Sequence, residues 1–161
     1  MKKDKMKKVL IALDYNPTAQ IVAETGFIFA KTMGAEVILM HVITDPIFYS
    51  SLEHVTVMGF AGNIDTSPVQ LNTADGLKNA SQNFLDKSKQ HLGDKAIQTV
   101  IKEGDYADSI LKTAAELKVD VIVMGSHSHR WLDEILIGSV TERVLHHTSI
   151  PLFIIPTKQK K

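Results

Sequence analysis

Short, continuous apolar runs recur along the chain and alternate with segments of helical spacing. Val9–Leu13 is rich in branched residues and predicts a buried strand. Asn16-Pro17 follows as a helix start, with Asn16 as N-cap and Pro17 in the first turn. Ile21, Thr25, Ile28, Phe29 and Thr32 share one face of that helix and are expected to point inward, and Gly34 ends it. Glu36–Ile43 predicts a second strand, and 75–91 a helix with Leu77, Ala80, Phe84, Leu85 and Leu92 near one face. Ala96–Lys102 predicts the third strand. Asp105 then caps a helix with Asp108 in its first turn and Ile110, Leu111, Ala114 and Leu117 inward. Val119–Met124 and Ile150–Ile155 predict the last two strands. Between them Ser139 opens a helix, the Ser139–Glu142 spacing matching a capping box, with Val140, Val144 and Leu145 inward. Residues 44–74 lack periodicity, apart from a short element expected near Val55–Met58, and form an unusually long connection of the functional or mobile kind.

Strands that alternate with helices and read as unbroken apolar runs belong to a parallel sheet covered on both faces. The expected fold is therefore α/β, a single-domain doubly wound sandwich with five parallel strands. Such sheets bind ligands beyond the carboxyl ends of their strands, where the winding direction switches. In this chain those ends are Asp14, His41-Val42, Gly104 and Gly125-Ser126.

Composition sharpens this picture by exclusion. A length of 161 residues, with 44% hydrophobic and 22% charged residues, fits one soluble domain. Absence of cysteine removes disulfide scaffolds, Cys-ligated metals and thiol catalysis. No apolar run is long enough to span a bilayer, and the apolar stretch after the N-terminal lysines is too short for a signal peptide, so a cytoplasmic address is expected. The net charge of zero is a sum of unlike parts. Residues 1–8 and 158–161 form two lysine-rich tails around a domain spanning 9–157. That domain carries 10 basic and 17 acidic residues, a formal −7, which disfavours a nucleic-acid surface.

Candidate chemistry concentrates in Gly125–His147. The chain leaves a strand at Gly125, loops out, and re-enters a helix at Gly138-Ser139. A helix start presents unpaired N–H groups and a partial positive charge, Gly138 permits close backbone approach, and Ser139 adds a hydroxyl. Together they form a phosphate cradle or, more simply, a helix cap. Arg130 and Arg143 are the nearby cations, Arg143 facing either the phosphates or solvent. Seven histidines raise a metal-site reading, but His146-His147 diverge on a helix and His127-x-His129 lacks a third ligand, so no metal held by protein side chains is expected. No Walker-type loop, no G-x-G-x-x-G after the first strand and no nucleophile elbow is present.

Five segments together resemble the universal stress protein family: the first strand ending in Asp14, the second ending in HVI at 41–43, EGDYADSIL at 103–111, DVIVMGSHS at 120–128, and GSVTERVLHHTSIPLFIIP at 138–156. The resemblance spans nearly the whole chain. Nucleotide-binding members carry glycine, two residues, glycine, nine residues, then glycine followed by Ser or Thr. Gly125, the spacer 129–137, Gly138 and Ser139 match that pattern, and Ser128 stands in place of the second glycine. The resemblance implies the adenine nucleotide alpha hydrolase-like form of the fold, with the five parallel strands in the order 3-2-1-4-5, and an ATP-binding stress-response module with at most slow ATPase activity. ATP, or AMP or ADP, would bring its own Mg²⁺. Asp14 would sit near the ribose or adenine edge and Val42 would meet adenine through its backbone. Gly125, Ser128, Gly138, Ser139 and Val140 would line the phosphates, with Ser126, His127, His129 and Arg130 in the connecting loop. It also implies a homodimer formed through the Ile150–Ile155 edge strand. Two alternatives remain: a nucleotide-free dimeric scaffold, supported by Ser128, and a nucleotide hydrolase using His127 or His129.

Overall fold

The apolar runs form a sheet that is buried on both faces. The computed structural model describes residues 7–15, 18–44, 74–126 and 138–157. Five strands, β1 (Lys8–Ala12), β2 (Glu36–Ile43), β3 (Gln98–Glu103), β4 (Val121–Gly125) and β5 (Leu152–Ile155), make one sheet in the expected order β3-β2-β1-β4-β5. All four pairings are parallel, with Val9 level with Val37 on one side and with Val121 on the other. Four helices cover the sheet: α1 (Ala19–Thr32), α2 (Ala74–Leu92), α3 (Tyr106–Glu116) and α4 (Ser139–His147). The candidate element near Val55–Met58 lies outside the described residues.

Side chains alternate across each strand, so each face of the sheet has its own core. Val9, Ile11, Val37, Leu39, Val121 and Val123 face α1 and α2, packing with Val22, Ala23, Phe84 and Leu85. Leu10, Ile38, Met40, Val42, Ile122 and Met124 face α3 and α4, packing with Ile110, Ala114 and Val144. Both sets are buried, and each such side chain contributes roughly 1.5–3 kcal/mol by leaving water. This is why the strands read as continuous rather than alternating apolar runs. At the start of β1, one oxygen of Asp120 accepts hydrogen bonds from the backbone N–H groups of Lys7 and Lys8, both at 2.8 Å. Those two donors hold its carboxyl below the usual range and anchor β1 to the turn before β4.

Two expectations about helix faces are corrected. In α1, Ile21 and Ile28 are 45% and 65% exposed, and Thr32 is exposed too. The buried stripe is instead Ala19, Val22, Ala23, Gly26 and Ala30. At Gly26 the helix lies too close to the sheet for a side chain. A Cβ on Gly26 would come within 2.9 Å of Ile11 and 3.0 Å of Val123. In α4, Leu145 is 45% exposed, and Thr141 joins Val144 in the buried face. Asn16 and Pro17 lie outside the described residues. The N-cap of α1 is Thr18, without a side-chain capping bond, and Gly34 follows the helix at φ +65°. Asp105 caps α3 as expected, its side chain accepting from the Asp108 N–H at 3.0 Å.

One histidine sits inside this apolar interior. His41 is 1% exposed, and burial pushes its pKa below the ordinary 6.5, against smaller opposing effects of its bond to Leu13 and of Asp14. As pH falls, the unfolded chain therefore takes up this proton first. The contribution of neutral His41 is complete above about pH 6.5 and is lost as pH falls from there toward the depressed folded value. The melting temperature should fall between about pH 7 and about pH 5.5, and His41→Phe should flatten that slope; equal slopes in the two proteins would refute the assignment. Gly26→Val should destabilise the fold by roughly 1–3 kcal/mol in chemical denaturation, because the added methyl groups enter space already filled by Ile11 and Val123.

Candidate functional site

A cleft opens where the carboxyl ends of β1 and β4 part, the point at which the sheet reverses its winding. Ala12, Leu13 and Asp14 from β1 and its exit, Met40 and Val42 from β2, and Met124 and Gly125 from β4 line it, together with residues from α1, α3 and α4. Its empty volume, open mouth included, is about 770 Å³. The walls divide by chemistry. Met40, Val42, Ile110 and Met124 give an apolar slot, while Asp14, Thr18, Tyr106, Ser139 and Thr141 supply polar atoms at its margins. Among the described residues that line it, Asp14 carries the one formal charge.

The exit of β4 is stapled to the start of α4. The Gly138 N–H donates to the Ser126 carbonyl at 2.9 Å, and the Thr141 hydroxyl donates to the Gly125 carbonyl at 2.9 Å. Beyond β5, the Thr157 N–H donates to the Ser126 hydroxyl at 3.1 Å, and the Ser126 N–H donates to the Ile155 carbonyl at 2.9 Å. The segment between Ser126 and Gly138 thus leaves and returns at one place. Gly125 is required here for space: a Cβ would lie 2.9 Å from Val22 and 3.0 Å from Thr157.

The capping-box expectation is corrected at this point. Gly138, not Ser139, is the N-cap, at φ −66° and ψ 154°, and no side chain caps the helix. Ser139 is the first helical residue, and the Glu142 N–H bonds to the Gly138 carbonyl at 2.8 Å. The helix therefore begins one residue earlier than the pattern suggests, and the Gly138 N–H, which has no acceptor within the helix, bonds to Ser126. The Ser139 hydroxyl is consequently not spent on capping. The N–H groups of Ser139, Val140 and Thr141 have no acceptor within the helix and sit at the cleft with its positive end.

Arg143 takes the opposite side from the phosphate reading. Its guanidinium donates to both oxygens of Asp105, at 3.1 and 2.9 Å, and to Asp108 at 3.3 Å. The pairing ties α4 to the N-terminus of α3. The Asp108 N–H first, and Arg143 second, hold the Asp105 carboxyl below its usual range. Of the expected site residues, Asp14, Val42, Gly125, Ser139 and Val140 line one cleft, with Ser126 and Gly138 adjoining it. His127, Ser128, His129 and Arg130 lie outside the described residues. Sequence reading missed Thr18, Tyr106 and Thr141. Tyr106 follows the β3 exit and so carried the same topological signal as the other strand ends; its hydroxyl accepts from Thr44 at 3.4 Å.

The universal stress protein family model matches residues 5–156. Universal stress protein MJ0577 of Methanocaldococcus jannaschii is 31% identical over 155 residues, which cover 94% of this chain and 96% of that one. The solved structure described as hypothetical protein MJ0577 superposes with a TM-score of 0.71 at 29% identity, covering 97% of this chain and 99% of the other. Two further structures share the fold. One is a universal stress protein in complex with cAMP (TM-score 0.60, 18% identity, 94% and 98% covered). The other is the universal stress protein from Archaeoglobus fulgidus in complex with dAMP (TM-score 0.56, 17% identity, 94% and 98% covered). By sequence over almost its full length and by strand order, this chain belongs to the universal stress protein family.

Proposed function

We propose that this chain is an ATP-binding regulatory module of the stress response that takes adenine nucleotide into the cleft between β1, β4 and α4. The observation that carries this reading is the junction of an apolar slot with a helix N-terminus at the sheet's switch point. The slot of Met40, Val42, Ile110 and Met124 suits a planar base. The Asp14 carboxylate suits sugar hydroxyls or the base edge, as an acceptor. The N–H groups that open α4 suit phosphate oxygens. Relatives in complex with cAMP and dAMP support an adenine nucleotide as the ligand class.

The charge distribution sets the terms of binding. Arg143 is engaged by Asp105 and Asp108, and Asp14 adds a negative charge to the cleft. A polyphosphate is then held by backbone dipoles, by Arg130 of the loop, and by the Mg²⁺ that accompanies it. The ion's ligands would be phosphate oxygens and water. Bound ATP acts chiefly as a conformational ligand, with hydrolysis slow at most. The edge strand β5, half-exposed at Leu152, Phe153 and Ile154, offers unpaired backbone groups to a second copy, giving a homodimer. Among the described residues no helix is long and apolar enough to cross a membrane.

Thermal-shift titration with ATP and AMP, with and without Mg²⁺, tests the reading. Nucleotide at about a hundredfold excess over Kd contributes about 2.7 kcal/mol, which raises the midpoint of a chain this size by roughly 5–10 °C. The ATP shift should shrink without Mg²⁺ and in Asp14→Ala, and Ser128→Gly should strengthen it. Absence of any shift at millimolar nucleotide would sink the proposal in favour of a nucleotide-free scaffold. Light scattering at micromolar concentration should return twice the monomer mass of 17.8 kDa; a monomer would exclude the β5 pairing.

A further inference from the structure

The β1 exit is held from behind. Leu13 donates its N–H to the Met40 carbonyl at 2.8 Å, and its own carbonyl accepts from His41 Nδ1 at 2.9 Å. A carbonyl only accepts, so the imidazole proton is on Nδ1 and Nε2 presents a bare lone pair. That lone pair is buried with no hydrogen-bond partner. The His41 ring lies 4.3 Å from the Tyr15 ring and 5.8 Å from Phe84, and Tyr15 lies 5.2 Å from Phe84. The Tyr15 hydroxyl bonds to Ser81 of α2 at 2.7 Å. Burial pushes the phenol's pKa up to about 12, so it stays a neutral partner. Both neighbours of Asp14 are thus fixed to the α1–α2 side of the sheet, while Asp14 itself lines the cleft. His41 and Val42 are consecutive in β2 and point to opposite faces, so one dipeptide holds the back of Asp14's turn and forms a wall of the cleft.

We propose that His41 is a positioning residue: from the face opposite the cleft, its Nδ1–H holds the Leu13–Asp14–Tyr15 turn and thereby presents Asp14 to the ligand. This rests on the nucleotide reading of the cleft. A phenylalanine would fill the same space without an orphaned nitrogen, so what the imidazole adds is the donor to Leu13. Packing and positioning can therefore be separated. His41→Phe keeps a buried ring and loses the donor. His41→Asn places an amide N–H at the position of Nδ1 and loses the ring. His41→Gln carries the same amide one bond too far out.

Two readouts test the assignment: amide hydrogen exchange at Asp14 and Tyr15 in ligand-free protein, and ATP·Mg²⁺ affinity by titration calorimetry. His41→Phe should speed exchange and weaken binding by about tenfold each, the scale of one lost hydrogen bond. His41→Asn should recover most of both although it melts lower than His41→Phe. In an Asp14→Ala background the Phe substitution should cost no further affinity. Equal exchange and affinity in the Phe and Asn proteins, or an undiminished Phe effect without Asp14, would overturn the proposal. If His41→Phe does not fold, the Asn and Gln proteins make the same comparison. If the wild-type protein binds no nucleotide, the exchange arm still decides. Fast exchange in Phe and slow exchange in Asn leaves the clamp standing while the nucleotide reading falls; no difference removes the clamp.

Discussion

Burial of one parallel sheet on both faces is the constraint on which everything else depends. Each of β1, β2 and β4 spends its side chains on two apolar cores, so the strand interiors have no room for chemistry. The backbone polar groups are consumed by the ladders. Polar function is thereby displaced to the strand ends, and the reversal of winding between β1 and β4 leaves a gap there that no side chain of the sheet fills. His41 is the exception inside the interior, and its placement near the carboxyl end of β2 fits the same rule, since it serves the strand end rather than the core.

The cleft is built from backbone more than from charge. The bonds from Gly138 to Ser126 and from Thr141 to Gly125 fix a helix start against a strand end. Gly125 permits this because α1 and Thr157 crowd the position where its Cβ would stand. The cations that simple counting assigns to an anionic ligand are otherwise placed. Arg143 braces α3 against α4, and the lysine-rich ends lie at the chain termini. On the proposed reading an anion would meet oriented dipoles, whose field is local and adds no net charge, besides Arg130 and the Mg²⁺ it brings.

Strand order, strand limits to within two residues, the Asp105 cap and five cleft residues were legible in the sequence. All but the strand order depend on local chemistry: apolar runs, a capping side chain, a glycine-serine helix start. The family resemblance adds the roles assigned to those residues. What reading along the chain missed was proximity. The stripe Ala19, Val22, Ala23, Gly26, Ala30 has helical spacing as regular as that of the larger residues. Hydrophobicity alone favours Ile21 and Ile28, but at Gly26 the short distance between α1 and the sheet admits no side chain. That Gly138 and not Ser139 caps its helix was likewise beyond the local pattern, which fits either residue.

By itself the sequence determined the strands, the helices and the doubly wound α/β class, since apolar periodicity and turn chemistry act over a few residues; the strand order came with the family resemblance. Tertiary structure decided which helix face is inward, where Arg143 is spent, that Thr18, Tyr106 and Thr141 join the cleft, and that His41 supports Asp14 across the sheet. These depend on distances between residues far apart in the chain, as with Leu13 and His41 or Arg143 and Asp105. Such distances are set only when the sheet has formed and the helices have settled against it.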